Sequence, residues 1–189
     1  LIGTTCGILT NLHLHPDERR LDALLRQADE QMRTALRALA EAADARNPLI
    51  LLGETLRQAD EWAAKNAENS LTDAPTREIH YINMRRQQRR ILLQVTKDAQ
   101  KVQGHPPQEA EVRALIGRIF AEYDRENDCT SLLSALHDLL AEMQRQPLPA
   151  TRGEFEDRAL LYVLLRRMED FLLLKREFYE TYGFEKITN

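Results

Sequence analysis

Residues 21–39 read LDALLRQADEQMRTALRAL, and the spacing of their apolar side chains decides the fold class. Leu21, Leu24, Leu25, Ala28, Met32, Ala35, Leu36 and Leu39 recur at steps of three and four, which lines them along one face of a helix. The pattern predicts a helix from Asp17 to about Arg46, roughly 40 Å at 1.5 Å per residue. Outward from it the same period returns five more times. Asn47 as N-cap and Pro48 in the first turn predict a second helix with Leu49, Leu52, Leu56, Ala59 and Ala63 as its inner stripe. A polar loop over residues 69–75 leads to a third helix, from about Thr76 to Val102, which Gly104-His105-Pro106-Pro107 stops. A fourth is expected over Gln108–Glu126. The fifth is capped by Asp128 or Thr130 and ended by Pro147-Leu148-Pro149. Thr151-Arg152-Gly153-Glu154 is a capping-box pattern that opens a sixth. The unbroken apolar run Ala159–Leu165 predicts that this last helix is enclosed by its neighbours.

Composition agrees with an all-α chain. Leu and Ala dominate the apolar residues, and seven Gly and seven Pro are few for 189 residues. With 43% hydrophobic and 30% charged residues, the length suits one well-solvated domain. The expected fold is an antiparallel up-and-down helical bundle of about five to six helices. Before it, Leu1–Leu14 is apolar and free of Lys, Arg, Asp and Glu, and the composition changes abruptly at His15-Pro16. That stretch reads as the remnant of a transmembrane helix, although it is shorter than the roughly 20 residues a span needs. The domain division is therefore 1–14, the end of a membrane helix, and 15–189, the bundle. Arg19, Arg20 and Arg26 directly after the apolar segment point to a cytoplasmic exit.

Several function classes are disfavoured. A net charge of −4 provides no basic field for nucleic acid. Cys6 and Cys129 lack metal or disulfide spacing, the five histidines are scattered, and no Glu-x-x-His pair, nucleophile elbow or Gly-rich phosphate loop occurs. No metal, no cofactor and no enzyme activity are expected. The hexad Leu-Arg-Gln-Ala-Asp-Glu occurs twice, at 25–30 and 56–61, which we read as coincidence within helix-favouring composition, since two copies do not make a solenoid.

The least bland segment is His80-Tyr81-Ile82-Asn83-Met84-Arg85-Arg86-Gln87-Gln88-Arg89-Arg90. On a helix, Tyr81, Met84, Ile91, Leu92 and Val95 share an apolar face into which Gln88 projects, so its amide needs a partner or loses about 1 to 3 kcal/mol. Arg85, Arg86, Arg89 and Arg90 occupy the adjoining arc. A Gln and Arg pair beside tyrosines suits a carboxylate, the guanidinium binding it bidentately. Equally, such arginines cross-link helices, and Glu156, Asp157, Glu169 and Asp170 of the sixth helix are the acids expected to take them.

Tyr81-x-x-Met84-Arg85-x-x-Gln88, the run Phe155-Glu156-x-Arg158-Ala159-Leu160-Leu161-Tyr162 and the apolar start together resemble the C-terminal domain of the putative aromatic acid exporter family. The resemblance implies that residues 15–189 are a cytoplasmic helical appendage to an N-terminal set of membrane helices. It implies as partner the membrane-embedded half of the same protein and as location the inner membrane on its cytoplasmic side; a homo-oligomer and an aromatic carboxylate are the further partners expected. The function expected is that of a regulatory or assembly domain of an exporter, with Tyr81, Arg85, Gln88, Arg158 and Tyr162 as ligand-binding residues. The alternative is a purely structural protein-protein interaction or oligomerisation bundle without ligand.

Overall fold

The computed structural model describes residues 16–68 and 77–183, which form six helices. They are α1 (Pro16–Ala40), α2 (Arg46–Glu68), α3 (Arg77–Ala99), α4 (Pro107–Glu122), α5 (Thr130–Arg145) and α6 (Arg152–Tyr182). Among the described residues there is no strand. The expected membrane-helix remnant at 1–14 and the polar loop at 69–75 lie outside the described residues.

The helices close into a ring. α1 packs on α2, α2 on α3, α3 on α6, α6 on α5, α5 on α4, and α4 returns to α1; α1 with α3 and α4 with α6 brace it across. Consecutive helices are neighbours at every step except α3 to α4, where the chain crosses to the α1 side. The crossing turn is pinned from below. The Asp157 carboxylate of α6 accepts the backbone N–H of Gln103 at 3.0 Å and of Gly104 at 2.7 Å. A Cβ at Gly104 would stand 2.6 Å from that carboxylate, so only glycine lets the turn come this close.

The stripes read from sequence are the core. All eight apolar positions of α1 and all five of α2 are buried, as are Val112, Leu115, Ile116, Ile119 and Tyr123 from the α4 segment. Each fully buried Leu or Ile contributes about 1.5 to 3 kcal/mol relative to exposure. α6 departs from expectation. Leu161, Leu164 and Leu165 are buried, but Ala159, Tyr162 and Val163 in the same run are exposed, because α3, α4 and α5 cover only part of its circumference.

Helix ends follow local chemistry. Thr151 accepts from the Glu154 N–H at 3.1 Å, and the Glu154 carboxylate accepts from Ala150 N–H at 2.8 Å, so the box closes one residue early. α1 ends in a Schellman arrangement. Ala43 N–H bonds to the Ala38 carbonyl and Ala42 N–H to that of Leu39, with Ala42 left-handed at φ 60°. α5 starts from Cys129, buried and left-handed at φ 62°, while Asp128 accepts from Thr130 N–H at 2.9 Å.

A buried arginine centre as candidate functional site

The apolar face of α3 turns Arg85 inward rather than onto the adjoining arc, and the residue is 1% exposed. Its five N–H groups are all used. Nε donates to the Tyr81 hydroxyl at 3.0 Å; Nη1 donates to Gln88 Oε1 at 2.9 Å and to the Tyr123 hydroxyl; Nη2 donates to Tyr81 at 2.6 Å and pairs with Asp29 at 2.7 Å. The Tyr81 and Tyr123 rings also lie 4.9 and 5.1 Å from its guanidinium carbon.

The partners are satisfied in turn. Tyr81 donates to one Asp29 oxygen and Tyr123 to Gln88 Oε1 at 2.8 Å, while the Gln88 amide donates to the Phe171 carbonyl of α6 at 2.8 Å. Arg125, after α4, holds the second Asp29 oxygen at 2.6 Å. Lys175 of α6, 3% exposed, donates to the carbonyls of Asp124 and Asn127 and stands 4.8 Å from the Tyr123 ring. One polar core thus ties α1, α3, α4 with its following loop, and α6.

Burial would by itself depress the Arg85 guanidinium, but the oxygens of Tyr123, Tyr81 and Asp29 around it hold it firmly charged. Burial pushes the Tyr81 phenol up to about 12 and that of Tyr123 higher still. It pulls the Lys175 ammonium down to about 8. Cys129, beside Lys175, has its thiol pushed up by burial.

Of the five residues singled out from sequence, Tyr81, Arg85 and Gln88 come together. Arg158 and Tyr162 do not join them. They lie thirteen and nine residues before Phe171 on α6, about 20 and 13 Å along the axis. Arg158 is committed to the Pro147 carbonyl at 2.7 Å and to Glu154, and Tyr162 is 38% exposed. The α3 arginines cross-link elsewhere than to the acids of α6. Arg85 takes Asp29 of α1, Arg86 takes Asp60 of α2 at 2.9 Å, and Arg89 donates to the Leu49 carbonyl of α2 at 2.6 Å. Between α3 and α6 the polarity is reversed, with Arg167 of α6 on Asp98 of α3 at 3.1 Å.

Asp29, Tyr123, Arg125 and Lys175 were not singled out as site residues. Lys175 carries a readable signal, since it continues the buried stripe Met168, Phe171, Leu172 at helical spacing. Several cavities open on the bundle, three of them described by their linings. One of about 780 Å³ lies between the α3–α4 turn and the start of α6, one of about 260 Å³ is lined mostly by apolar residues of α1, α3, α4 and α6, and one of about 280 Å³ lies between α3 and the end of α6. Neither Arg85 nor Gln88 lines any of the three. Among the described residues no group of three or more His, Cys, Asp or Glu side chains converges as a metal site requires.

Residues 12–176 match the family model described as "Putative aromatic acid exporter C-terminal domain". The chain belongs to this family. By its description the family is associated with a putative transporter. An uncharacterized protein of Bacillus subtilis (strain 168), YqjA, is 24% identical over 190 aligned positions, which cover 94% of this chain but 57% of that protein. The chain therefore spans little more than half the length of this relative. A crystal structure of a putative membrane protein from Clostridium difficile 630 superposes with a TM-score of 0.76 at 23% identity, covering 86% of this chain and 98% of that one. It shares the fold. Among the described residues no helix is long and apolar enough to cross a membrane.

Proposed function

We propose that this family domain is a cytoplasmic regulatory bundle attached to the membrane-embedded half of an exporter-like inner-membrane protein, and that α1 couples the two. Family membership supports the attachment. The observation that carries the coupling is the Asp29 clasp. One carboxylate on α1 is held by Arg85 of α3, by Arg125 beyond α4 and by the Tyr81 hydroxyl. A displacement of α1 along its axis must break or carry all three, so the bundle responds as a unit. In intact cells carrying the full-length protein, Asp29→Asn is expected to lower export of aromatic carboxylates severalfold at unchanged protein level. Export equal to wild type would sink the coupling.

The same clasp favours a ligand-sensing form. Two guanidinium groups and a phenol converge on one carboxylate, which is how a carboxylate ligand is recognised. An aromatic carboxylate displacing Asp29 would meet Arg85 and Gln88 with the Tyr81 ring beside it, and Arg158 and Tyr162, away on the bundle surface, take no part. A native-state ligand raises stability by RT ln(1 + [L]/Kd). Benzoate at millimolar concentration is expected to raise the melting temperature saturably, and Arg85→Ala to abolish the shift. No shift in the wild-type chain removes the ligand and leaves coupling alone.

A further inference from the structure

α6 presents an uncovered face about 120° wide. In chain order it carries Arg152, Phe155, Glu156, Ala159, Tyr162, Val163, Arg166, Asp170 and Leu173, all exposed. Its borders are fixed by contacts. On one side Glu169 reaches His137 of α5 at 2.7 Å, and on the other Arg167 reaches Asp98 of α3. Phe155, Tyr162, Val163 and Leu173, with Leu148 in the turn just before α6, make up five of the seven large apolar side chains exposed among the described residues. Apolar surface concentrated in this way marks an interaction face.

The charges on the face name the occupant. Read from either end toward the level of Leu161, the face meets opposite charges at matching steps. Arg152 and Asp170 stand equally far from that level, as do Glu156 and Arg166, and Ala159 and Val163. We propose that a second copy of this chain docks here, α6 against α6, antiparallel about a two-fold axis at the level of Leu161.

In that register Arg152 faces Asp170 of the second copy and Glu156 faces its Arg166, each twice by symmetry. Ala159, the small residue near the axis, faces Val163 of the second copy and lets the backbones approach. Leu173 reaches the turn holding Leu148, which is 91% exposed. Alternatives are penalised. A parallel pairing brings every charge onto itself, and moving the axis to Val163 sets Glu156 against Asp170. In the monomer Arg152 pairs with Glu156 at 2.8 Å and Arg166 with Glu169 at 2.5 Å, both within α6, and with the two arginines 91% and 54% exposed the interface exchanges weak intrahelical contacts for pairs across it. This pairing is independent of the Asp29 coupling.

The test is sedimentation equilibrium of the 189-residue chain over a concentration series, for wild type, Asp170→Arg, and the exchange of both charges, Arg152→Asp with Asp170→Arg. All substituted positions are solvent-exposed, and circular dichroism checks that the bundle is intact. A reversible dimer is expected. Asp170→Arg places like charges together twice and should raise the dissociation constant by roughly tenfold or more, and the double exchange should restore it. Two results overturn the proposal: a chain monomeric at every concentration, which leaves the face to the membrane-embedded half, or a dimer indifferent to Asp170→Arg, which uses another surface.

Discussion

Arg85 is a cation with no solvent and no spare donor, and its cost of burial is offset only while every acceptor around it stays in place. Arg85→Met should therefore destabilise the chain by about 3 kcal/mol, because Asp29, Gln88 and both phenols lose a partner together. Arg85→Lys should not recover this, since three donors on a point charge cannot reproduce five in a planar fork. Urea unfolding measures both. At this scale the sequence was half legible. Tyr81, Arg85 and Gln88 stand out because polar groups fall on or beside an apolar helical stripe. Asp29 and Arg125, 52 and 96 positions from their respective partners Tyr81 and Asp29, do not, since nothing local marks an exposed-looking acid as the one that an interior guanidinium will select. The repeated hexad gains a meaning that composition alone did not suggest. Its two aspartates, Asp29 on α1 and Asp60 on α2, receive the adjacent arginines Arg85 and Arg86 of α3.

At the scale of elements, six helices were readable because apolar period and punctuation agree, whereas their ends moved by up to six residues. α1 stops at Ala40 instead of near Arg46, because a Schellman closure forms without the glycine that usually advertises it. A left-handed alanine costs about 1 kcal/mol over glycine. Ala42→Gly should therefore stabilise the bundle by about that amount, read as a rise in the thermal midpoint. α4 ends at Glu122 rather than Glu126, since the Asp124 side chain accepts the backbone N–H groups of Glu126 and Asn127 and turns the chain instead. The open side of α6 was illegible for another reason. Seven apolar residues in a row look the same whether neighbours surround a helix or leave one side for a partner.

For the whole molecule, the buried groups give stability a dependence on pH with a definite sign. Lys175 is protonated in both states below about pH 8. From there to its ordinary 10.5 the unfolded chain binds the extra proton, so stability rises with pH through that window. Cys129 and Tyr81 act oppositely: the folded state keeps protons that the unfolded chain releases from about pH 9 and 10 upward, and stability falls. Unfolding free energy should climb between pH 8 and 9 and then turn over. In Lys175→Met the climb should be absent, although that variant also leaves the Asp124 and Asn127 carbonyls short of a donor. The ring of six helices has one seam where this matters, the 123–129 loop that Lys175 clamps from α6. Directly at its end sits the Cys129 thiol, with no surface open to solvent. An alkylating reagent can reach that sulfur only while the seam is parted, so the rate at which it is modified is a clock for breathing of the bundle, set into the chain where its polar core meets a loop.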